Sequence, residues 1–89
     1  MRLDKYLKVS RLIKRRTVAN EVCNQGRVFV NSKVAKPSTT VEENDNITIE
    51  YANKTITAKI LVVPTGNVSI QESKDLYEII EHVQYTEKT

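Results

Sequence analysis

Asn24-Gln25-Gly26-Arg27-Val28-Phe29-Val30-Asn31-Ser32-Lys33-Val34-Ala35-Lys36-Pro37 is the stretch in which the chain changes its period. Gly26 suits a helix stop, because glycine enters the left-handed backbone region without a steric penalty. Residues 27–31 then read as a strand, Asn31-Ser32-Lys33 as a turn, and Val34-Ala35-Lys36 as a short returning strand. Pro37 ends it, since proline brings no N–H to a ladder. A helix that closes directly onto a hairpin places both element types in one small unit.

Outward from this stretch, the pattern is helical on the N-terminal side. In residues 15–24, Val18 and Val22 are four apart, as are Ala19 and Cys23, and together they form one apolar stripe. Leu3 and Leu7, with Tyr6 beside them, predict an earlier helix over residues 2–9 that packs on the second through Leu3, Leu7, Val18 and Val22. Ser10 interrupts it, and Leu12-Ile13 supply an apolar link. On the C-terminal side, residues 42–46 read as a solvated turn and residues 47–51 alternate as a strand. Residues 52–54 turn the chain into a further β segment over residues 55–63, which Pro64-Thr65-Gly66-Asn67 ends. Leu76, Ile79, Ile80 and Val83 fall at helical spacing, with Ser73 as a candidate N-cap, and predict a C-terminal helix. The expected class is α+β: a small single domain with two N-terminal helices on a small, mostly antiparallel sheet, plus a C-terminal helix.

The chain has 89 residues, 39% hydrophobic and 28% charged, with one cysteine, one histidine and no tryptophan. This is one domain's worth of sequence with a modest core. One cysteine closes no internal disulfide. The longest apolar run, Ile60-Leu61-Val62-Val63, is far short of the roughly 20 residues of a membrane span, and no signal peptide is visible at Met1-Arg2-Leu3-Asp4-Lys5. A cytoplasmic location is therefore expected.

The net charge of +3 hides a division. Residues 1–37 carry ten bases and two acids, a net +8, whereas residues 38–89 carry four bases and nine acids, a net −5. A basic half attracts polyanions. Lys14-Arg15-Arg16 opens the second helix, at the positive end of its dipole, where bases are disfavoured by about 0.3–1 kcal/mol each. Local stability does not explain them, so an external anion is expected. Arginine meets phosphate with paired hydrogen bonds. The candidate RNA-contacting residues are Arg2, Lys5, Arg11, Lys14, Arg15, Arg16, Arg27, Asn31, Lys33 and Lys36, with Asn31 placed to bond a base edge or ribose. Charge alone fits RNA, DNA or an acidic membrane surface, and the lack of large apolar residues on the basic face weighs against a membrane.

Catalytic and metal chemistry find no constellation. His82 stands alone, and Cys23 lies on the apolar stripe of the second helix. No Cys/His spacing suits zinc, no Gly-rich loop cradles a nucleotide, and Glu42-Glu43-Asp45 lack the spacing of a calcium loop. The expectation is a protein with no enzyme activity, no cofactor and no small-molecule substrate.

Several of these stretches, in order, resemble one family. Arg2-Leu3-Asp4-Lys5-Tyr6-Leu7, Lys14-Arg15-Arg16-Thr17, Asn24 to Asn31 and Val34-Ala35-Lys36-Pro37 are similar to the S4 RNA-binding domain, or alpha-L motif. The likeness covers about residues 1–50, leaving residues 51–89 as a β extension and acidic C-terminal helix. Free-standing copies of this size resemble the heat-shock protein fifteen family, and its Gram-positive branch in particular. The resemblance implies binding to large ribosomal subunits that still carry peptidyl-tRNA, with contact to both large-subunit ribosomal RNA and tRNA. It also implies a place beside RqcH, a NEMF-family factor, during alanine tailing of stalled nascent chains. It points first to Arg2 and Arg16, then to Lys5, Arg11, Lys14, Arg15 and Arg27. The longer basic tail of the heat-shock branch has no counterpart, and acidic residues around Leu76–Val83 stand in its place. A general ribosomal-RNA-binding factor or RNA chaperone in ribosome assembly is the alternative, and a protein adaptor using the acidic C-terminal helix is a third.

The +8 segment has almost no aromatic residue beyond Tyr6 and Phe29, which predicts binding dominated by phosphate. With about five phosphates neutralised, log K for RNA falls against log salt with a slope of about −3.5 to −4.5. Titrations between about 50 and 200 mM salt check this, and a flat response refutes it.

Overall fold

The helix-to-hairpin switch takes place where the sequence puts it. In a computed structural model, which describes residues 1–85, the first helix α1 spans Leu3–Val9 and the second, α2, spans Arg16–Asn24. Gln25 caps α2, and Gly26 follows with φ +73°. The Gly26 N–H donates to the Cys23 carbonyl (3.0 Å) and the Arg27 N–H to the Val22 carbonyl (3.2 Å), the paired bonds of a Schellman stop. The chain then enters β1 (Val28–Val30), turns through Asn31 and Ser32, both at positive φ, and returns as β2 (Lys33–Val34). Two left-handed residues in a two-residue loop match the right-handed twist of the strands they join.

Strands β3 (Asn46–Glu50) and β4 (Lys54–Ile60) form the expected antiparallel hairpin. After β4 comes a single helical turn, α3 (Ile70–Ser73), capped by Ser69, whose side chain accepts from the Glu72 N–H at 3.1 Å. The last strand, β5 (Tyr77–Gln84), completes an antiparallel sheet of order β2-β1-β3-β4-β5.

The α+β class and the helix pair stand as read, but the C-terminal helix does not. Ile79, Ile80 and Val83 belong to β5, and Ser73 ends α3 instead of starting a helix. Tyr77, Ile79, Ile80 and Val83 are β-branched or aromatic, and β4 offers them an open edge along its whole length, so pairing overrides the spacing. A register shift at Thr57/Ala58 inserts Ile80 as an extra residue. His82, expected on a helix, is an exposed strand residue paired with Ile56. Of the acidic tail, Glu87 lies outside the described residues.

The core lies between the helix pair and one face of the sheet. Val28, Ile47, Ile49, Ala58 and Ile60 point into it from the strands, and Leu3, Tyr6, Leu7, Ala19 and Cys23 from the helices. The stripe of α2 thus divides: Ala19 and Cys23 are buried, whereas Val22 is half-buried and Val18 is exposed, contrary to the expected packing through the two valines. Burial pushes the Cys23 thiol up to about 11, with the Asp4 charge adding to it, so it is a packed thiol and a poor nucleophile.

Tyr6 is fully buried and donates its hydroxyl to the Leu76 carbonyl at 2.8 Å, tying α1 to the entrance of β5. That carbonyl also accepts from the Leu61 and Val62 N–H groups, so Tyr6→Phe removes a bond without stranding the acceptor. The expected loss is therefore about 1 kcal/mol, a fall in Tm of about 4–8 °C, read by thermal and urea unfolding.

Candidate nucleic-acid interface

The start of α1 is built by contacts from distant sequence. Arg2 offers no side-chain cap, yet the first helical N–H groups are all met. Leu3 donates to the Thr39 carbonyl (2.7 Å), Asp4 to the Pro37 carbonyl (3.1 Å), and Lys5 to the Asp4 carboxylate (2.8 Å). Arg2 also forms a β-bridge with Thr40. These bonds satisfy the orphan donors of the first turn and hold Arg2 and Lys5 in place.

Asp4 is buried, and two arginines close over it. Arg2 approaches in paired fashion, Nε to Oδ1 and Nη2 to Oδ2 at 3.3 Å each, and Arg16 Nη2 lies 3.5 Å from Oδ1. About half of each arginine side chain stays exposed, at 52% and 49%. Burial alone would raise the Asp4 pKa. The Lys5 N–H, the Arg16 and Arg2 charges and the Asn20 amide outweigh it together and hold the carboxyl below its ordinary 3.8. The first turn of α2 has no acid of its own, and Asp4 of α1 supplies the negative charge that its arginine lacks.

Ten candidate residues separate into groups. Arg2, Lys5 and Arg16 line one hollow, opposite residues 63–66. Arg2 also lines the next, with Lys36, Asn20 and Asn24, so these four bases share a continuous face. At the α1–α2 turn itself, Arg11 and Lys14 line a hollow with Lys8, a lysine outside the expected set. Arg11 is held at φ 62° by the turn. Lys14 also joins Arg15 and Arg27 around a groove beside β3. Lys33 is exposed on β2, at the sheet edge, and shares none of these hollows. Asn31 is exposed, but its side chain is engaged in structural work. Its amide donates to the Asp45 carboxylate at 3.1 Å and its oxygen accepts from the Asn46 N–H at 3.0 Å, clipping the β1–β2 turn to the start of β3. That leaves only part of its hydrogen-bonding capacity for a base edge.

Sequence reasoning missed Asp4 as the organiser of the site. The available signal was an acid two residues after Arg2 in a segment otherwise almost wholly basic. Among the described residues, no group of three or more His, Cys, Asp or Glu side chains converges as a metal site would, and no helix is long and apolar enough to cross a membrane.

The S4 domain family matches residues 1–47. An RQC P-site tRNA stabilizing factor of Halalkalibacterium halodurans is 53% identical over 79 residues, covering 89% of each chain. Another, of Streptococcus pneumoniae, is 46% identical over 87 residues, covering 98% of each. Among solved structures, the trimeric heat shock protein 15 of Vibrio cholerae superposes with a TM-score of 0.81 at 32% identity, over 89% of this chain and 80% of that one.

The depressed Asp4 pKa has a signed consequence. Its folded value is below its unfolded one, so its contribution to stability is present above about pH 4 and is lost as pH falls through the folded value. Asp4→Asn is expected to cost about 1–2 kcal/mol at neutral pH, with the gap from the parent chain narrowing as the medium is acidified below about pH 4. Urea unfolding across a pH series checks both, and a gap that stays constant into acid refutes the charge pairing.

Proposed function

The chain belongs to the S4 domain family and, within it, to the group of heat shock protein 15 and the RQC P-site tRNA stabilizing factors, and from that premise we propose that it is a non-catalytic RNA-binding protein of the stalled large ribosomal subunit. The domain and the relatives support a ribosome-associated, RNA-binding role. The finer reading is that it binds large subunits still holding peptidyl-tRNA, touches ribosomal RNA and tRNA together, and acts in the cytoplasm beside RqcH while alanine is added to the nascent chain. Residues 1–50 serve as the RNA-binding core, and β4 and β5 extend its sheet.

The observation that carries this reading is the division of the bases around one helix pair. Arg2, Lys5, Arg16 and Lys36 line two hollows that share Arg2, while Arg11, Lys14, Arg15 and Arg27 line two others that share Lys14, at the turn between the helices. Two cationic surfaces on one rigid unit suit two RNA segments held at a fixed relation. In such a clamp, binding energy is spent on one tRNA position and shifts the population toward it, with no bond made or broken by the protein. Exposed guanidinium edges on Arg2 and Arg16, pre-aimed by Asp4, lower the ordering cost of each phosphate contact.

Arg16→Ala tests the reading. Loss of one charge-assisted contact should weaken association with large subunits about tenfold or more. The chain should remain folded by circular dichroism, because Arg2 still covers Asp4 with paired bonds. Sedimentation of the tagged protein separates the outcomes. Parent chain on free large subunits with peptidyl-tRNA supports the proposal; parent chain on precursor particles, or a variant that sediments as before, overturns it.

A further inference from the structure

One groove is left over by the fold and by the Asp4 cluster alike. Because the helix pair closes through Ala19 and Cys23, Val18 stays 37% exposed, although it belongs to the apolar stripe. With Val22, Leu12, Ile49 of the third strand and Tyr51 just beyond its end, it walls an open, mainly apolar groove of about 410 Å³. Tyr51 is fixed there, its hydroxyl donating to the Leu12 carbonyl at 2.7 Å. Lys54 stands 5.1 Å from the centre of the Tyr51 ring. Lys14, Arg15 and Arg27 rim the groove against a single carboxylate, Glu50.

We propose that this groove takes one unstacked nucleobase of a bound RNA, with Lys14, Arg15 and Arg27 on the flanking phosphates. The volume lies within the roughly 300–1,000 Å³ of small-molecule sites and is enough for one planar group. A nucleotide joins a flat, stackable face to an anion, which is the pairing this slot and rim complement. The fixed edge of Tyr51, whose ring carries Lys54 over one face, and the aliphatic walls of Val18, Val22 and Leu12 give a base an apolar contact surface with little ordering cost. The inference rests on the RNA-binding reading and adds a base subsite to it, apart from Asp4.

The test uses the full chain and a single-stranded RNA of about ten nucleotides, with 2-aminopurine at one central position, and a twin abasic at that position. The base-bearing probe should change its fluorescence on binding and bind about tenfold more tightly than the twin. Val18→Trp fills the groove and Val18→Ser strips one wall; each should remove that advantage, leaving the abasic twin's affinity and the salt slope unchanged. Val18 is exposed enough for the serine variant to fold if the tryptophan variant does not, as circular dichroism will show. Equal binding of the two probes, folded Val18 variants that bind as the parent does, or a parent that binds large subunits but neither probe overturns the groove, which would then be free for a protein. A parent that binds neither probes nor large subunits overturns the RNA-binding reading itself.

Discussion

A carboxylate taken out of water has to be met by donors on its oxygens, and at Asp4 that demand organises the basic end of the molecule. The Lys5 N–H and the guanidinium groups of Arg2 and Arg16 answer it from the start of both helices. The contact therefore locks α1 to α2 through charge as well as through the buried Leu3, Leu7, Ala19 and Cys23. It also sets the orientation of two arginines whose outer edges remain in water. Removing the acid would free both cations and loosen the geometry that makes them useful. On the proposed reading the same interaction serves both stability and RNA recognition, so a separate measurement of folding is what tells the two effects of a substitution apart.

Distant segments support this arrangement. The loop over residues 36–41 gives its carbonyls to the first N–H groups of α1, and Val41 donates to the Met1 carbonyl. From the far end of the chain, Leu76 accepts the Tyr6 hydroxyl. The helix that carries Arg2 and Lys5 is only Leu3–Val9 long, too short to persist in water by its own hydrogen bonds. Its shape is therefore a property of the sheet and loops beneath it, and the β extension supports the basic surface through the Leu76 carbonyl.

Much of the fold was legible because local and global preferences agree. Gly26 after Asn24-Gln25 stops a helix in any context, and Val28-Phe29-Val30 followed by Asn31-Ser32 makes a hairpin almost unavoidable. Where local pattern and tertiary pairing compete, the reading failed. The Leu76, Ile79, Ile80 and Val83 spacing is helical on paper, yet the open edge of β4 and the β-branched content decide for a strand. The α2 stripe was legible as apolar, but its division between core and groove depends on the small residues Ala19 and Cys23 allowing α1 close, which no periodicity encodes. The bases were legible as a set from composition. Their grouping, the clip that Asn31 makes to the start of β3 and the separation of Lys33 depend on where loops fold back, information held in contacts as distant as Met1 with Val41.

The Tyr6–Leu76 bond has a meaning for how the protein is made. It joins positions 70 apart in a chain of 89 residues. A ribosome delivers the N-terminus first, so the basic helices emerge long before the carbonyl that secures the first of them. Until Leu76 leaves the exit tunnel, Tyr6 has neither its final partner nor its complete apolar cover, and α1 lacks its last clasp. Vectorial synthesis thus delays the finished basic surface until Leu76 has been made and has cleared the tunnel.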